Sequence, residues 1–171
     1  MPTVRKTRTI AAPVQELWET IRDPHHLPRW WPRVERVEDV ADGAFTEVMR
    51  TGKGKVVRAD FKIVRLDEHS HVIAWEQQLK DTPFENLLRS AETEIRLAAL
   101  PAAGGDDVAV TEVTLQLHQT LTESVSRGRY KSWLSIGGSA FRGFGNHMMQ
   151  RAGNDTLAQA ITGLQRISGR A

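Results

Sequence analysis

The sequence predicts an α+β fold in which a curved antiparallel sheet of about seven strands wraps around a long C-terminal helix, with two short helices after the first strand. Three observations predict it. Between residues 33 and 120, stretches of strand-like sequence follow one another with only short turn signals between them, which means antiparallel pairing. In the last third the apolar residues change to helical spacing. A sheet with one apolar face must bury it, and only the C-terminal helix is long enough to do so.

The elements follow in order. Val4, Lys6, Arg8 and Ile10 alternate with Arg5, Thr7 and Thr9 in a first strand. Pro13 opens a helix, where its missing N–H is harmless. Val14, Leu17, Trp18 and Ile21 recur at i, i+3, i+4 and i+7 as one face of it. Asp23-Pro24 ends it, because a residue before proline is pushed out of the helical region. A second short helical turn covers His25 to Trp31, bounded by prolines.

Strands are then expected over Arg33 to Val40 and Ala44 to Arg50, separated by the Asp42-Gly43 turn. Val56 to Leu66, a turn at Asp67 to Ser70, and Val72 to Leu79 come next. After Asp81-Thr82-Pro83, a long strand runs from about Phe84 to Leu100. "PAAGGDD", Pro101 to Asp107, is a loop. In Val108 to Thr120, Thr111, Val113, Leu115 and Leu117 share one face, and Glu112, Thr114, Gln116 and His118 the other. Phe141, Phe144, Met148 and Ala152 lie at helical spacing, as do Leu157, Ile161, Leu164 and Ser168. One long helix fits them, with Gly153 to Thr156 as a point of kinking or interruption.

With 171 residues, the chain has room for one domain with a single core, so residues 1–171 read as one unit. It has no cysteine, which rules out disulfide staples, thiolate zinc sites and a cysteine nucleophile and suits a reducing cytoplasm. "MPTVRKTRTIAAPV" has no apolar core behind its basic residues and is not a secretory signal. The apolar runs fall far short of the roughly 20 residues that span a bilayer. A soluble cytoplasmic protein with no integral membrane segment is expected. Net charge is +2 but uneven: Leu66 to Leu121 holds three basic and ten acidic residues, Thr122 to the end seven basic and two acidic. The basic third reads as a solvated helix face balancing an acidic sheet, or as a surface for an anionic partner.

"TRTIAAPVQELWETIRDPHHLPRWWPRVERV", residues 7–37, runs strand, Ala-Pro, a Val-x-x-x-Trp helix, an Asp-Pro stop, then Trp-Trp-Pro before the second strand. In this the chain resembles the START/polyketide cyclase superfamily, or SRPBCC, with the helix-grip fold. The strand series and terminal helix extend the likeness over the whole chain. The resemblance implies a deep, mostly apolar pocket for a lipid, sterol, polyketide, hormone or similar molecule, in a superfamily that includes carriers, sensors and aromatase/cyclases. Such a fold does not choose among them. The polar segment Leu121 to Ser139 departs from a compact link and reads as a lid, an interface part or a connector.

If odd-numbered positions of the central strands face the helix, Phe61, Trp75, Gln77, Arg89, Thr93 and Leu115 turn inward, in a set that is mostly apolar as a ligand cavity or a plain core requires. Arg89 would suit a planar anion such as a ligand carboxylate or enolate, unless a register slip turns it outward. Trp30 and Trp31 cannot both point inward, so one of them walls the cavity near its mouth. Phe144, His147 and Met148 would face the cavity from the helix, Met148 as adaptable packing and His147 as an acid or base near neutral pH.

Glu76, Glu92, Glu94 and Glu112 fall on the outer face. No Ser-His-Asp order, Gly-rich phosphate loop or carboxylate pair stands out, so no catalytic set is assigned. His25 and His26 point about 100° apart in a helical turn and do not chelate one ion, and no metal or cofactor is expected. Arg127, Arg129 and Lys131 with Tyr130 and Trp133 make no recognisable nucleic-acid motif.

The leading expectation is binding of a hydrophobic small molecule between sheet and C-terminal helix. The alternatives are an aromatase/cyclase-like enzyme using Arg89 or His147, and a regulatory module whose basic segment 127–142 docks an acidic partner or membrane. The oligomeric state stays open, a dimer included.

Overall fold

The structure, a computed structural model, describes residues 3–50, 53–82, 84–101, 108–123 and 146–168, with residues 146–149 described by their backbone alone. The order is β1 (Thr3–Ile10), α1 (Val14–Ile21), a 3-10 turn (Pro24–His26), α2 (Leu27–Trp30), β2 (Val34–Ala41), β3 (Ala44–Arg50), β4 (Val56–Asp67), β5 (Val72–Gln77), β6 (Leu88–Leu100), β7 (Val110–Leu121) and α3 (Asn146–Ile167). The strands form one seven-stranded antiparallel sheet in the order β1-β7-β6-β5-β4-β3-β2. Successive strands from β2 to β7 are neighbours, and β1 closes beside β7. This is the helix-grip arrangement.

Alternation divides the sheet into two unlike faces. On the concave side Phe45, Ile73, Trp75, Ile95, Val113 and Leu115 are at most 2 % exposed and form one core with α1 and α3. On the convex side Val48, Val72 and Ala74 are also buried. Val48 lies opposite Arg36 and Arg58, and both of these pair with Glu38. Val72 and Ala74 lie opposite Arg96, Glu94 and Arg65, which pair among themselves. The arginine stems cover small apolar residues while their charged heads stay at the surface.

The segment Asp23 to Val34 is a fixed bend. The Asp23 carboxylate accepts the His25 backbone N–H at 3.0 Å, capping the 3-10 turn that Pro24 begins. Leu27 and Trp30 are buried, and Arg33 adopts φ 68° as the chain turns into β2. Gly163 of α3 lies against this bend, where a Cβ would stand 2.3 Å from the Trp30 carbonyl oxygen. Only the absence of a side chain lets the helix approach so closely.

Three elements differ from expectation. α3 runs unbroken through Gly153 to Thr156. Gly153 sits over Val4 and Leu117, where a Cβ would already lie 3.1 Å from the Val4 side chain, so packing on the sheet offsets its low helix propensity. β6 starts at Leu88, because the N–H groups of Leu87 and Leu88 both bond to the Phe84 carbonyl at 2.9 Å and hold 84–87 as a turn. β5 ends at Gln77, short of Leu79. Among the described residues no helix is long and apolar enough to cross a membrane.

Candidate functional site

α3 packs chiefly on β1, β7 and α2, and so grips one half of the sheet. The other half of the concave face, over β3, β4 and β5, carries an aromatic surface. Strand register builds it. Phe61 of β4 lies opposite Phe45 on one side and Gln77 on the other, while Trp75 lies between Ile63 and Thr93. Phe45 and Phe61 stack with ring centroids 5.3 Å apart and planes at 11°. Phe45 meets Trp75 edge to face at 6.1 Å.

The bend adds two more rings. Trp31 stands edge-on to Trp75, with centroids 5.9 Å apart and planes at 73°, and edge-on to Trp30 at 5.4 Å. Trp30 is buried in the core and Trp31 packs against it, so both tryptophans serve the interior. This departs from the expectation that they could not both point inward. α2 ends at Trp30, and Trp31 takes an extended backbone (φ −81°, ψ 131°) that returns its ring to the same side.

Trp75 and Thr93 are buried, whereas Phe61, Gln77, Ile63 and Trp31 are only partly so. The aromatic surface is therefore deep at Trp75 and at Phe45, and more open at Phe61, Ile63, Gln77 and the bend. Leu115, opposite Ile95, lies in the next row and is fully buried. Gln77 is partly buried.

Arg89 is not part of this surface. A bulge between Leu88 and Ser90 breaks the alternation that would have turned it inward, and its side chain is exposed. Phe144 and the basic segment 127–142 lie outside the described residues, as do the side chains of His147 and Met148 in the first turn of α3.

One polar residue faces the same side as the aromatic surface. Glu47 is 2 % exposed on β3, with Val37 and Ala59 opposite it and Phe45 and Met49 beside it on the same face. Among the described residues its Oε1 has no hydrogen-bond partner, and burial pushes its carboxyl up to about 8. The signal was in the sequence: the alternation that sends Phe45 inward sends Glu47 inward too. By contrast, Glu94 reaches Arg65 and Arg96 on the convex face, and Glu76 is exposed.

Three of the described histidines serve local structure. His25 pairs with Asp23, His26 Nδ1 lies 3.3 Å from the Thr20 carbonyl, and His71 packs edge-on against Trp18. Among the described residues no group of three or more His, Asp or Glu could hold a metal ion. A separate groove of about 480 Å³ runs between residues 28–34 and the outer side of α3, rimmed by Arg29, Arg33 and Arg166. Trp30 and Trp31 line it and stand between it and the concave interior.

Comparison with known proteins agrees with this architecture. Residues 1–166 match the model of the family described as polyketide cyclase / dehydrase and lipid transport. No curated protein sequence matches the chain. A START superfamily protein from Mycobacterium smegmatis superposes with a TM-score of 0.68 at 14% identity, over 98% of this chain and 97% of its own. The Zhui aromatase/cyclase from Streptomyces sp. R1128 gives 0.66 at 17%, over 98% and 93%. A structure from Thermus thermophilus gives 0.61 at 21%, over 98% and 97%. At such identities the likeness is one of fold.

Proposed function

The chain belongs to the polyketide cyclase/dehydrase and lipid transport family, and on that premise we propose that it binds a hydrophobic small molecule, such as a lipid or polyketide, in a cavity between the sheet and the C-terminal helix. As a single START-like domain in the cytoplasm, it would hold the molecule against the aromatic surface of β3–β5. The observation that carries this reading is the array of Phe45, Phe61, Trp75 and Trp31 on the half of the concave face that α3 does not chiefly cover. A plain core would be sealed there by close packing, whereas Phe61, Gln77 and Trp31 keep partial exposure. Thr93 and Leu115 would extend the wall along the same face, with Trp30 packed against Trp31. Phe144, His147 and Met148 are proposed to complete it from the helix side.

The test is mass spectrometry of the purified protein, in native form and after organic extraction. A stoichiometric hydrophobic molecule supports the reading and names its class. A protein that neither carries such a molecule nor takes one up from a lipid or polyketide mixture counts against it.

A cyclase or dehydratase activity in the same cavity is the second reading, and Glu47 favours it. A buried carboxyl that titrates near neutral pH can hand a proton to a carbonyl or receive one. Cyclised or dehydrated product from a poly-β-ketone substrate, lost in Glu47→Gln, would support it. Unchanged product in that variant would remove Glu47 from the chemistry.

A further inference from the structure

A lone carboxyl in an apolar strand pair is costly unless something other than the fold retains it. Glu47 is almost fully buried, and one of its oxygens meets no donor among the described residues. Its in-sheet neighbours on the same face are apolar: Val37 across β2, Ala59 across β4, Phe45 and Met49 along its own strand. The charged side chains of the same strands, Arg36, Glu38, Arg58 and Asp60, register with Thr46 and Val48 and so lie on the opposite face. Burial is the sole cause of its altered titration, with no contribution from a charged neighbour. Leucine or methionine at this position would satisfy packing better than glutamate does.

What adjoins Glu47 on its own face is the aromatic surface. Phe45 is two residues back along β3, about 7 Å away, and it carries Phe61 and Trp75 with it. We propose that Glu47 is the polar anchor of the ligand cavity, its carboxyl group donating a hydrogen bond to a carbonyl oxygen of a flat, hydrophobic ligand that lies across Phe45, Phe61 and Trp75. This inference rests on the reading that the concave face holds a hydrophobic ligand and adds the ligand's chemical class: a ketone, quinone or ester rather than a hydrocarbon.

The argument is one of satisfaction. In a dry site a neutral carboxylic acid is a strong donor to a carbonyl, whereas an ionised one has no proton to give. Below the pH at which Glu47 ionises, a carbonyl ligand removes the orphaned polar group. A hydrocarbon of the same shape leaves it unpaired.

The experiment compares 2-acetylnaphthalene with 2-ethylnaphthalene, two probes of nearly equal shape, by quenching of tryptophan fluorescence in the full chain. The quantity read is the ratio of the two affinities. At pH 6.5 the ratio should favour the ketone about tenfold more in the wild type than in Glu47→Leu, the discrimination that one well-made buried hydrogen bond gives. Raising the pH to 9.5 should lower the ratio in the wild type but not in Glu47→Gln, whose amide keeps a donor at both values.

Equal ratios in the wild type and Glu47→Leu, with both probes bound, overturn the anchor and leave the cavity standing. Failure of both probes to bind overturns the cavity reading and the anchor together. Should Glu47→Leu fold poorly, the pH comparison between wild type and Glu47→Gln decides alone: a ratio that does not fall in the wild type overturns the anchor.

Discussion

Trp31 stands edge-on to Trp75 with ring centroids 5.9 Å apart, joining the proline-bracketed bend after α1 to the middle of the sheet. The two rings differ in depth: Trp75 is 2 % exposed, while Trp31 is partly open and also lines the groove beside α3. Their substitutions should separate accordingly. Trp75→Ala removes a large buried side chain and should cost about 3–5 kcal/mol of stability. Trp31→Ala should cost less, yet weaken binding of a hydrophobic probe by about tenfold. Urea denaturation and fluorescence titration on the two variants check the split.

Gly163 tests the grip itself. A methyl group there would lie 2.3 Å from the Trp30 carbonyl oxygen and 2.8 Å from its Cα, and neither backbone atom can yield without moving the bend. Alanine would gain up to about 1 kcal/mol of helix propensity, but the clash should exceed that and leave Gly163→Ala destabilised by about 1–3 kcal/mol. The urea midpoint decides, and a variant more stable than the wild type would mean that α3 does not lie this close to α2.

Glu47 makes stability depend on pH in a direction opposite to that of a salt-bridged carboxylate. Below its usual range, near 4.5, the group is protonated in both the folded and the unfolded chain, and the fold loses nothing. Between there and about 8, the unfolded chain has released the proton while the folded chain holds it, so stability falls as pH rises. By pH 7 the loss is about 3 kcal/mol. Denaturation midpoints measured from pH 5 to pH 9 should therefore fall more steeply in the wild type than in Glu47→Leu, which should be the more stable protein at pH 8.

Trp18 supplies a contrast. Its buried indole N–H donates to Glu68 at 2.5 Å, and Glu68 also takes Arg22 at 2.7 Å. The Trp18 N–H is the main reason that the Glu68 carboxyl sits below its ordinary range. Folded-state affinity for the ionised form means that this contact stabilises above the usual glutamate range and is lost as pH falls through the depressed value. Glu68→Ala should lower the denaturation midpoint more than Arg22→Ala, since only the first leaves a buried donor unpaired.

Much of this fold was legible in the sequence, because alternation and turn chemistry were strong and mutually consistent. β3 spans Ala44–Arg50 as its residues predict, and Asp42 and Gly43 both adopt positive φ in the turn before it. The helix stop at Asp23-Pro24 and the proline-bounded turn after it were legible for the same reason, since proline and an Asp cap act locally. What local pattern could not show were effects of the third dimension. The bulge that exposes Arg89 depends on how β6 meets β7, and the continuity of α3 through Gly153 depends on Val4 and Leu117 beneath it. Glu47 was overlooked for a different reason. A lone glutamate is usually a surface residue, and only its burial reveals otherwise.

The measurement that tests the central claim most directly is a proton–nitrogen NMR titration of the tryptophan indole groups with 2-acetylnaphthalene. If the ligand lies on the concave aromatic surface, the Trp31 and Trp75 indole signals shift with saturation, while that of Trp18, held by Glu68, stays in place. Binding that moves neither Trp31 nor Trp75 would contradict the account.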